Sequence, residues 1–367
     1  MNLKNNKFFR RLAAAMMAGA MMVTMMGMTA FAEDGSSVEN NVVTFGKTLD
    51  MTEAVGASVP DVTFTYNITA GPSDETASPI IKAGIEAEKV VISGAEFSHE
   101  NNVDKGVATA KVKVDFSGVT FRVPGVYRYV ITEEDLVDSV SVKADITNDE
   151  NTERFLDVYV VNGENGLEIA NCVLLTEAVR PDPDGKYNTE KSAGYVNKYK
   201  TYELSLTKEV TGDMADMSEE FDFTVEFTGP ANATFTYAIG DENGTQKVTL
   251  DDQGKATLKD VVKLNNTTGS FIVKGLPSNV TYKITENINA NEGYTTSYAI
   301  DGKDAISGTE FANTETMGKQ DHQVKFTNSR VAITPTGIIL NIMPYVLMVA
   351  LAAVLGFLFL RRKKHDL

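Results

Sequence analysis

The sequence is poor in the residues on which many enzymes rely: its 367 residues include one cysteine, three histidines and no tryptophan. A single cysteine, Cys172, cannot form an intramolecular disulfide, which is the usual covalent reinforcement of exported proteins. The histidines stand apart, so neither a metal-binding cluster nor a Ser/His/Asp catalytic set is apparent. We therefore expect no metal, no cofactor and no enzymatic activity toward other molecules. A secreted glycosidase or protease is the weaker interpretation.

Positive charge is scarce as well. There are 34 Lys and Arg residues against 50 Asp and Glu residues, which gives a formal net charge of −16 at pH 7. Most of the chain is more acidic still, because several of the basic residues are concentrated at its two ends. So acidic a surface disfavours nucleic acid as a partner.

The first 32 residues are typical of a secretory signal peptide. Four basic residues precede an apolar stretch at 12–28, and Ala30, Phe31 and Ala32 follow as a small-residue cleavage site. We expect cleavage after Ala32, so that the mature chain begins at Glu33. A membrane anchor at this end is the weaker interpretation, because acidic and polar sequence follows the cleavage site directly.

The C-terminal segment predicts a transmembrane helix. An uncharged apolar run at 338–360 is long enough to cross a bilayer. The basic tail at 361–367 would hold this end inside the cell. The five residues before the run are Ile333, Thr334, Pro335, Thr336 and Gly337.

This order of Pro-Thr-Gly, apolar helix and basic tail resembles the cell-wall sorting signal of Gram-positive surface proteins. The motif departs from the commonest Leu-Pro-x-Thr-Gly and is similar to a variant used by some pilin-specific sortases. The resemblance implies that a sortase thiolate cuts between Thr336 and Gly337 and passes the Thr336 carbonyl to an amine. A plain single-pass anchor with a chance Pro-Thr-Gly is the alternative.

Between its ends the sequence consists of short runs of alternating β-forming residues. Examples lie at 62–66, 110–114 and 221–225, and Gly, Asn, Asp and Pro separate such runs. No long stretch with helical period occurs outside the two terminal segments. The pattern predicts an all-β fold, and roughly 300 residues of mature chain predict two domains.

A pentapeptide, Tyr-x-Ile-Thr-Glu, occurs twice, ending at Glu133 and at Glu286. Alternate residues of a strand share a face, so the Tyr, Ile and Glu of each copy would point the same way. The carboxylate of each copy would then lie in line with the core, where an ionisable group needs a reason.

Each pentapeptide is flanked by a lysine upstream and an asparagine downstream, both on β-like stretches. The two ordered sets are Lys47, Glu133 and Asn197, then Lys208, Glu286 and Asn328. This recurrence predicts two copies of one domain, at 33–198 and 199–332. Asn188 and Asn313 are weaker choices of asparagine, because both lie in polar, loop-like surroundings.

With these motifs together, the chain resembles a Gram-positive major (backbone) pilin of the two-domain streptococcal type. The resemblance covers essentially the whole mature chain. It implies two tandem Ig-like (CnaB-type) β-sandwich domains, each closed by an isopeptide bond, in a shaft subunit of a cell-surface pilus. It also implies covalent anchoring at the cell wall. The expected partners are a pilin-specific sortase, further copies of the chain, tip and basal minor pilins, and host surface or matrix.

The chemistry of such a bond explains why Lys, Glu and Asn would recur. An amine attacks a carboxamide only if the amine is neutral and the carbonyl is polarised. Burial supplies both conditions, because desolvation lowers the pKa of Lys and raises that of Glu. A protonated Glu can then donate a hydrogen bond to the Asn carbonyl and relay protons to the leaving ammonia.

We therefore expect Lys47 to join Asn197 with Glu133 as catalyst, and Lys208 to join Asn328 with Glu286 as catalyst. Each bond would tie a first strand to a last strand. The loop-closure argument made for disulfides puts its stabilisation at roughly 4 to 5 kcal/mol.

A shaft subunit also needs an amine that accepts the Thr336 carbonyl of the next subunit. In the pilins that the chain resembles, this is a lysine near the end of the N-terminal domain. The candidates here are Lys191, which we prefer, and Lys186. The alternative to a shaft subunit is a singly displayed, wall-anchored adhesin that binds a host ligand through the loops at 71–79 and 182–194.

Overall fold

The computed structural model describes residues 38–39, 41–163, 166–180, 191–240, 245–288, 293–311, 313–332 and 336–363. The predicted signal peptide lies outside these residues, as do Lys186, Asn188 and the first three residues of the predicted sorting motif.

The strands up to residue 200 form a first sandwich. They are β1 (Val38–Glu39), β2 (Val42–Glu53), β3 (Val62–Phe64), β4 (Tyr66–Ala70), β5 (Ile81–Ala83), β6 (Val91–Ile92), β7 (Ala95–Phe97), β8 (Val107–Asp115), β9 (Gly125–Glu133), β10 (Ile146–Thr147), β11 (Glu153–Gly163), β12 (Gly166–Leu175) and β13 (Gly194–Lys200). Two 3-10 turns lie at Ala87–Lys89 and Lys143–Asp145.

The strands from residue 202 onward form a second sandwich. They are β14 (Tyr202–Thr211), β15 (Phe221–Thr228), β16 (Thr234–Ile239), β17 (Gln246–Thr249), β18 (Lys255–Leu264), β19 (Ser270–Leu276), β20 (Thr281–Asn287), β21 (Thr295–Ile300), β22 (Ile306–Ser307), β23 (Glu315–Thr316) and β24 (His322–Ser329).

Each sandwich has two main sheets. In the first, one sheet has the order β10-β13-β2-β8-β6 with β1 beside β2, and the other has the order β12-β11-β9-β4 with β5 beside β9. In the second, the orders are β17-β16-β19-β14-β24-β21-β22 and β18-β15-β20-β23. The all-β prediction is thus confirmed. The first sandwich also has a small two-stranded sheet, β3-β7.

The first and last long strands of each sandwich lie side by side and run parallel: β2 pairs with β13, and β14 pairs with β24. Most other pairs are antiparallel. This arrangement brings residues that are far apart in sequence onto neighbouring strands in the middle of one sheet.

The strands follow the alternation that the sequence predicts. In β14 every second residue is buried: Tyr202, Leu204, Leu206, Lys208 and Val210. A lysine therefore occupies a position in a row that is otherwise apolar or aromatic. Separate clusters of buried apolar side chains fill the two sandwiches, one between Val43 and Tyr199 and the other between Tyr202 and Phe326.

Three details differ from the sequence-based expectations. The run at 62–66 is split into β3 and β4 at Thr65, and the first sandwich extends to Lys200 through β13. The loop at 71–79 is partly an outer cover of the sheet that contains β9, because Ala77 packs with Ile81 and Val126 in a small buried cluster.

The last element that the structure describes is helix α1 (Thr336–Lys363), which covers the apolar run at 338–360. Among the residues that the structure describes, no helix is long and apolar enough to cross a membrane. The membrane span predicted for this run is therefore not confirmed and stays a prediction.

Candidate functional site

The strand register places the lysine and asparagine of each set in equivalent positions. In the first sandwich Lys47 lies opposite Tyr195, and Asn197 is two residues further along β13. In the second sandwich Lys208 lies opposite Phe326, with Asn328 again two residues further along β24. Because residues two apart share a strand face, both side chains of each set point into the core.

The glutamate of each set comes from the opposite sheet. Glu133 ends β9 beside Tyr66 of β4, and Glu286 lies in β20 beside Phe223 of β15. Both carboxylates are almost fully buried, at 4% and 2% exposure. The shared face of the Tyr-x-Ile-Thr-Glu strand thus delivers a carboxylate across the sandwich to the Lys and Asn.

In the first sandwich the three side chains make one continuous contact. Lys47 donates a hydrogen bond from Nζ to Oε2 of Glu133, and Asn197 donates from Nδ2 to Oε1 of the same carboxylate at 2.6 Å. Lys47 and Asn197 are fully buried. The carboxylate therefore holds the amine and the carboxamide side by side.

The second sandwich repeats this contact with a small difference. Lys208 Nζ and Asn328 Nδ2 both donate to Oε1 of Glu286, each at 2.7 Å. Lys208 is 6% exposed and Asn328 is fully buried. One carboxylate oxygen thus receives both donors here, whereas the first set uses both oxygens of Glu133.

Burial lowers the pKa of both lysines. The pKa of Lys47 falls from its usual 10.5 to about 8, because desolvation outweighs the attraction of Glu133. The pKa of Lys208 also falls to about 8, for the same reason and against the attraction of Glu286. A pKa of about 8 leaves an appreciable neutral fraction of each amine near neutral pH.

An aromatic ring covers each amine. Lys47 Nζ lies 4.2 Å from the ring centre of Phe64, and Lys208 Nζ lies 4.3 Å from that of Phe221. These rings exclude water from the amines. Sequence reasoning missed both of them, since a phenylalanine in a β-run reads as an ordinary core residue.

The two asparagine oxygens have different surroundings. Asn197 Oδ1 accepts a hydrogen bond from the backbone N–H of Asp149 at 3.0 Å. Asn328 Oδ1 is buried and accepts no hydrogen bond from the part of the chain that the structure describes. Asp149 in turn pairs with Arg154, and sequence reasoning missed this pair as well.

The other predicted positions lie outside the two buried Lys-Glu-Asn sets. Lys191 is exposed and forms an isolated β-bridge with Leu175. The backbone N–H of the next residue, Ser192, donates to the carbonyl of Leu174. Asn313 is exposed and so takes no part in a buried contact. Thr336 begins α1, and Gly337 follows it in the helix.

Chemically, each set presents an amine of lowered pKa, a carboxylate that contacts both partners, and a carboxamide. These are the components needed to exchange a carboxamide for a secondary amide with release of ammonia. Within the described ranges, no group of His, Cys, Asp or Glu could hold a metal ion.

Two Ig-like sandwiches, each with a buried Lys, Glu and Asn in contact, define a structural protein built of isopeptide-type domains. Residues 43–200 match the model of the Spy0128-like isopeptide containing domain. Residues 202–330 match a domain of unknown function, DUF7601.

The relatives agree with this assignment. A pilin of Streptococcus pyogenes serotype M1 is 25% identical over 94% of this chain and 98% of its own length. The pilus tip adhesin Cpa of Streptococcus pyogenes is 33% identical over 38% of this chain and 18% of its own length. A crystal structure of the major pilin from Streptococcus pyogenes shares the fold, with a TM-score of 0.58, 24% identity and coverage of 80% of this chain and all of that one.

The chain is therefore a pilin homologue and a structural subunit of a pilus shaft with isopeptide-containing domains. The relatives of known function are a pilin and a pilus tip adhesin of Streptococcus pyogenes. The resemblance inferred from the sequence is confirmed.

Proposed function

We propose that the shaft subunit forms two intramolecular isopeptide bonds autocatalytically, Lys47 to Asn197 and Lys208 to Asn328. Glu133 and Glu286 serve as the respective proton relays. The bonds would join the paired first and last strands of two domains, which we divide at the junction between β13 and β14.

One observation carries this proposal: each buried carboxylate touches both the amine and the carboxamide that would react. The contacts of 2.6 Å at Glu133 and 2.7 Å at Glu286 occur in equivalent register in two independent sandwiches. A buried ion pair alone is a weak contributor to stability. Its repetition with an asparagine in contact is better explained by a reaction.

The test is the intact mass of a recombinant chain covering residues 33–336. Each bond expels one ammonia, so we expect a deficit of two ammonias, about 17 Da each. Peptide mapping would assign each loss to its lysine and asparagine. A folded chain with the full unreacted mass would refute the proposal.

We further propose that a pilin-specific sortase cleaves the chain after Thr336 and joins it to a lysine of the next subunit. Lys191 is the preferred acceptor and Lys186 the second choice. The exposure of Lys191 beside the last strand of the first sandwich supports this choice. In this scheme the apolar segment at 338–360 retains the subunit at the membrane until sorting, and the finished fibre is anchored covalently to the wall.

The polymer is tested by expressing the chain with its sortase in a pilin-deficient Gram-positive host. Wild-type protein should give a ladder of covalent multimers, and Lys191→Ala should collapse it to monomer. A ladder that persists in Lys191→Ala but disappears in Lys186→Ala would reassign the acceptor. A single wall-linked band from wild type would favour the adhesin interpretation, in which a host ligand is the partner.

A further inference from the structure

Beside Asn197 lies a buried ion pair that the isopeptide chemistry described above does not use. Arg154 of β11 is 5% exposed and donates from Nη2 to Oδ2 of Asp149 at 2.8 Å. Its Nε donates to Ser192 Oγ at 2.9 Å and to the Gly194 carbonyl at 3.1 Å. The guanidinium also lies over the ring of Tyr195, 4.7 Å from its centre. Arg154 is therefore fixed from several sides.

The partner of this arginine touches β13 at two successive residues. Oδ2 of Asp149 accepts the backbone N–H of Val196 at 2.8 Å, and the backbone N–H of Asp149 donates to Oδ1 of Asn197 at 3.0 Å. The side chain of Asp149 thus fixes its own backbone against the strand. As a result its N–H is aimed at the oxygen of the carboxamide that would react.

We propose that the backbone N–H of Asp149 is a catalytic oxyanion donor for the Lys47–Asn197 reaction, and that Arg154 is the residue that positions it. This inference rests on the proposed isopeptide function. It gives the site a group that polarises the Asn197 carbonyl, a role that the sequence analysis expected of Glu133. In the structure the Glu133 carboxylate instead accepts from Nδ2 of Asn197, which suits proton transfer.

The reaction balances with groups that are present. The neutral Lys47 Nζ attacks Cγ of Asn197, and the electron pair of the C=O bond moves to Oδ1, where the Asp149 N–H meets the developing negative charge. Glu133 takes a proton from Nζ and delivers it to Nδ2. The Cγ–Nδ2 bond then breaks, ammonia leaves, and the Nζ–Cγ amide remains. No oxidant, reductant or cofactor is consumed.

The position of the donor agrees with this role. An oxyanion donor is effective only if it is already in position, because it then stabilises the developing charge without any reorganisation of the protein. At 3.0 Å the Asp149 N–H is already within hydrogen-bond reach of Oδ1. The ion pair with Arg154 supplies the rigidity that a residue outside the strands would otherwise lack.

The experiment starts from chains recovered unfolded and unreacted from inclusion bodies, and follows the first bond as they fold, by quenched mass spectrometry and peptide mapping. The rate at which the Lys208–Asn328 bond forms in the same molecule is the internal reference. Asp149→Ala keeps the N–H and loses the carboxylate, whereas Asp149→Pro loses both. Arg154→Met removes the positioning charge, and Arg154→Lys restores a cation that can still reach Asp149. Lys143→Met, which breaks the exposed pair with Asp138, is the matched control.

We expect Asp149→Pro to slow the first bond about 100-fold or more, the usual cost of losing one oxyanion donor. Asp149→Ala and Arg154→Met should slow it less, and Arg154→Lys should recover much of the rate. Lys143→Met should react like wild type. Rates equal to wild type in Arg154→Met, or no recovery with Arg154→Lys, would overturn the proposal even if Asp149→Pro does not fold.

The pH profile separates positioning from a general loosening of the fold. Loss of an oxyanion donor lowers the rate at every pH. Because the Asp149 carboxylate raises the pKa of Lys47 and Arg154 lowers it, Asp149→Ala should also move the midpoint of the profile slightly down. Loosening would instead hydrate Lys47, return its pKa toward 10.5 and shift the midpoint upward, and an upward shift in Asp149→Ala would count against the proposal. If wild-type protein never loses the first ammonia, the proposed function itself has failed, and that result is distinct from all of these.

Discussion

The two candidate sites agree in their reacting groups and differ in what surrounds them. Both have the same register, the same buried carboxylate contact and a phenylalanine ring over the amine. Only the first has a hydrogen-bond donor on the asparagine oxygen, the N–H of Asp149, since Asn328 Oδ1 accepts no bond within the described part of the chain. The comparison distinguishes the Lys, Glu and Asn that both sites share from the Asp149 donor, which is specific to the first sandwich.

The common core indicates what the chemistry requires. Both sites have a lysine of lowered pKa, a carboxylate that contacts lysine and asparagine, and a phenylalanine ring over the amine. They share these features although the two sandwiches differ in strand number and loop length. The Asp149 N–H, which only the first site has among the described residues, indicates where the rate of bond formation can change. Substitutions of the Lys, Glu or Asn of a set should therefore abolish its bond, whereas substitutions of the residues around the set should only slow it.

The largest expected effect is the loss of one bond with the other intact. Glu133→Ala should leave the first bond unformed, because the amine then lacks its proton acceptor, and should restore about 17 Da to the intact mass. Glu286→Ala should do the same for the second bond alone. Glu134→Ala, at the exposed neighbouring position, is the control and should retain both bonds. Full bond formation in either Glu→Ala variant would contradict the shared mechanism.

The next effect is on stability. Asn197→Ala and Asn328→Ala would each open a closed loop of roughly 150 or 120 residues, which should lower the free energy of unfolding by about 5 kcal/mol. Asn197→Ala should cost about 1 kcal/mol more, because it also leaves the half-buried N–H of Asp149 without its acceptor.

Denaturant unfolding of each sandwich, followed by tyrosine fluorescence and pulse proteolysis, measures both values. Asn313→Ala, at an exposed asparagine, should leave stability within about 0.5 kcal/mol of wild type. Losses below about 1 kcal/mol in both buried variants would mean that the bonds contribute little to stability.

A smaller effect sharpens the comparison between the sites. When wild-type chains recovered unreacted from inclusion bodies are folded, the first bond should form at least about tenfold faster than the second, because within the described residues only its asparagine oxygen has a preorganised donor. Quenched samples analysed by peptide mapping give both rates in one experiment. Equal rates would mean that the Asp149 N–H has no kinetic role.

A further expected effect is a pH dependence in a chain that cannot react. In Asn328→Ala, Lys208 stays free, with a folded pKa of about 8 against 10.5 when unfolded. Between these values the unfolded chain binds more protons, so the free energy of unfolding should rise as pH increases from about 8 to 10.5. Below pH 8 this contribution is constant. The double variant Lys208→Met/Asn328→Ala should lack the rise, and a fall with pH would show that the assigned direction is wrong.

Much of this arrangement could be predicted from the sequence, for a definite reason. Strand alternation ties the Glu of Tyr-x-Ile-Thr-Glu to the face of its Tyr and Ile, so the burial of Glu133 and Glu286 follows from local pattern. The repetition of Lys, Glu and Asn in the same order then identifies the members of each set.

The rest depends on tertiary structure. The two-residue offset between Lys47 and Asn197 comes from a parallel pairing of strands far apart in sequence, which no local pattern encodes. Arg154 was missed because a charged residue at the start of a strand usually faces solvent, whereas here it is 5% exposed and satisfied by backbone and side-chain acceptors. Domain ends are equally weakly encoded, since β13 continues two residues past the predicted boundary.

The side-by-side first and last strands also determine how far a fibre could lengthen. With Lys191 as acceptor, a pull enters each subunit just before β13, continues through Thr201 into β14, and leaves after β24. The Lys208–Asn328 bond would cross directly from β14 to β24 and bypass roughly 120 residues, which would otherwise extend by about 400 Å per subunit. The bulk of the first sandwich lies beside this route. The Lys208–Asn328 bond would therefore limit how far the fibre extends. The Lys47–Asn197 bond would stabilise the first sandwich, most of which does not carry the force.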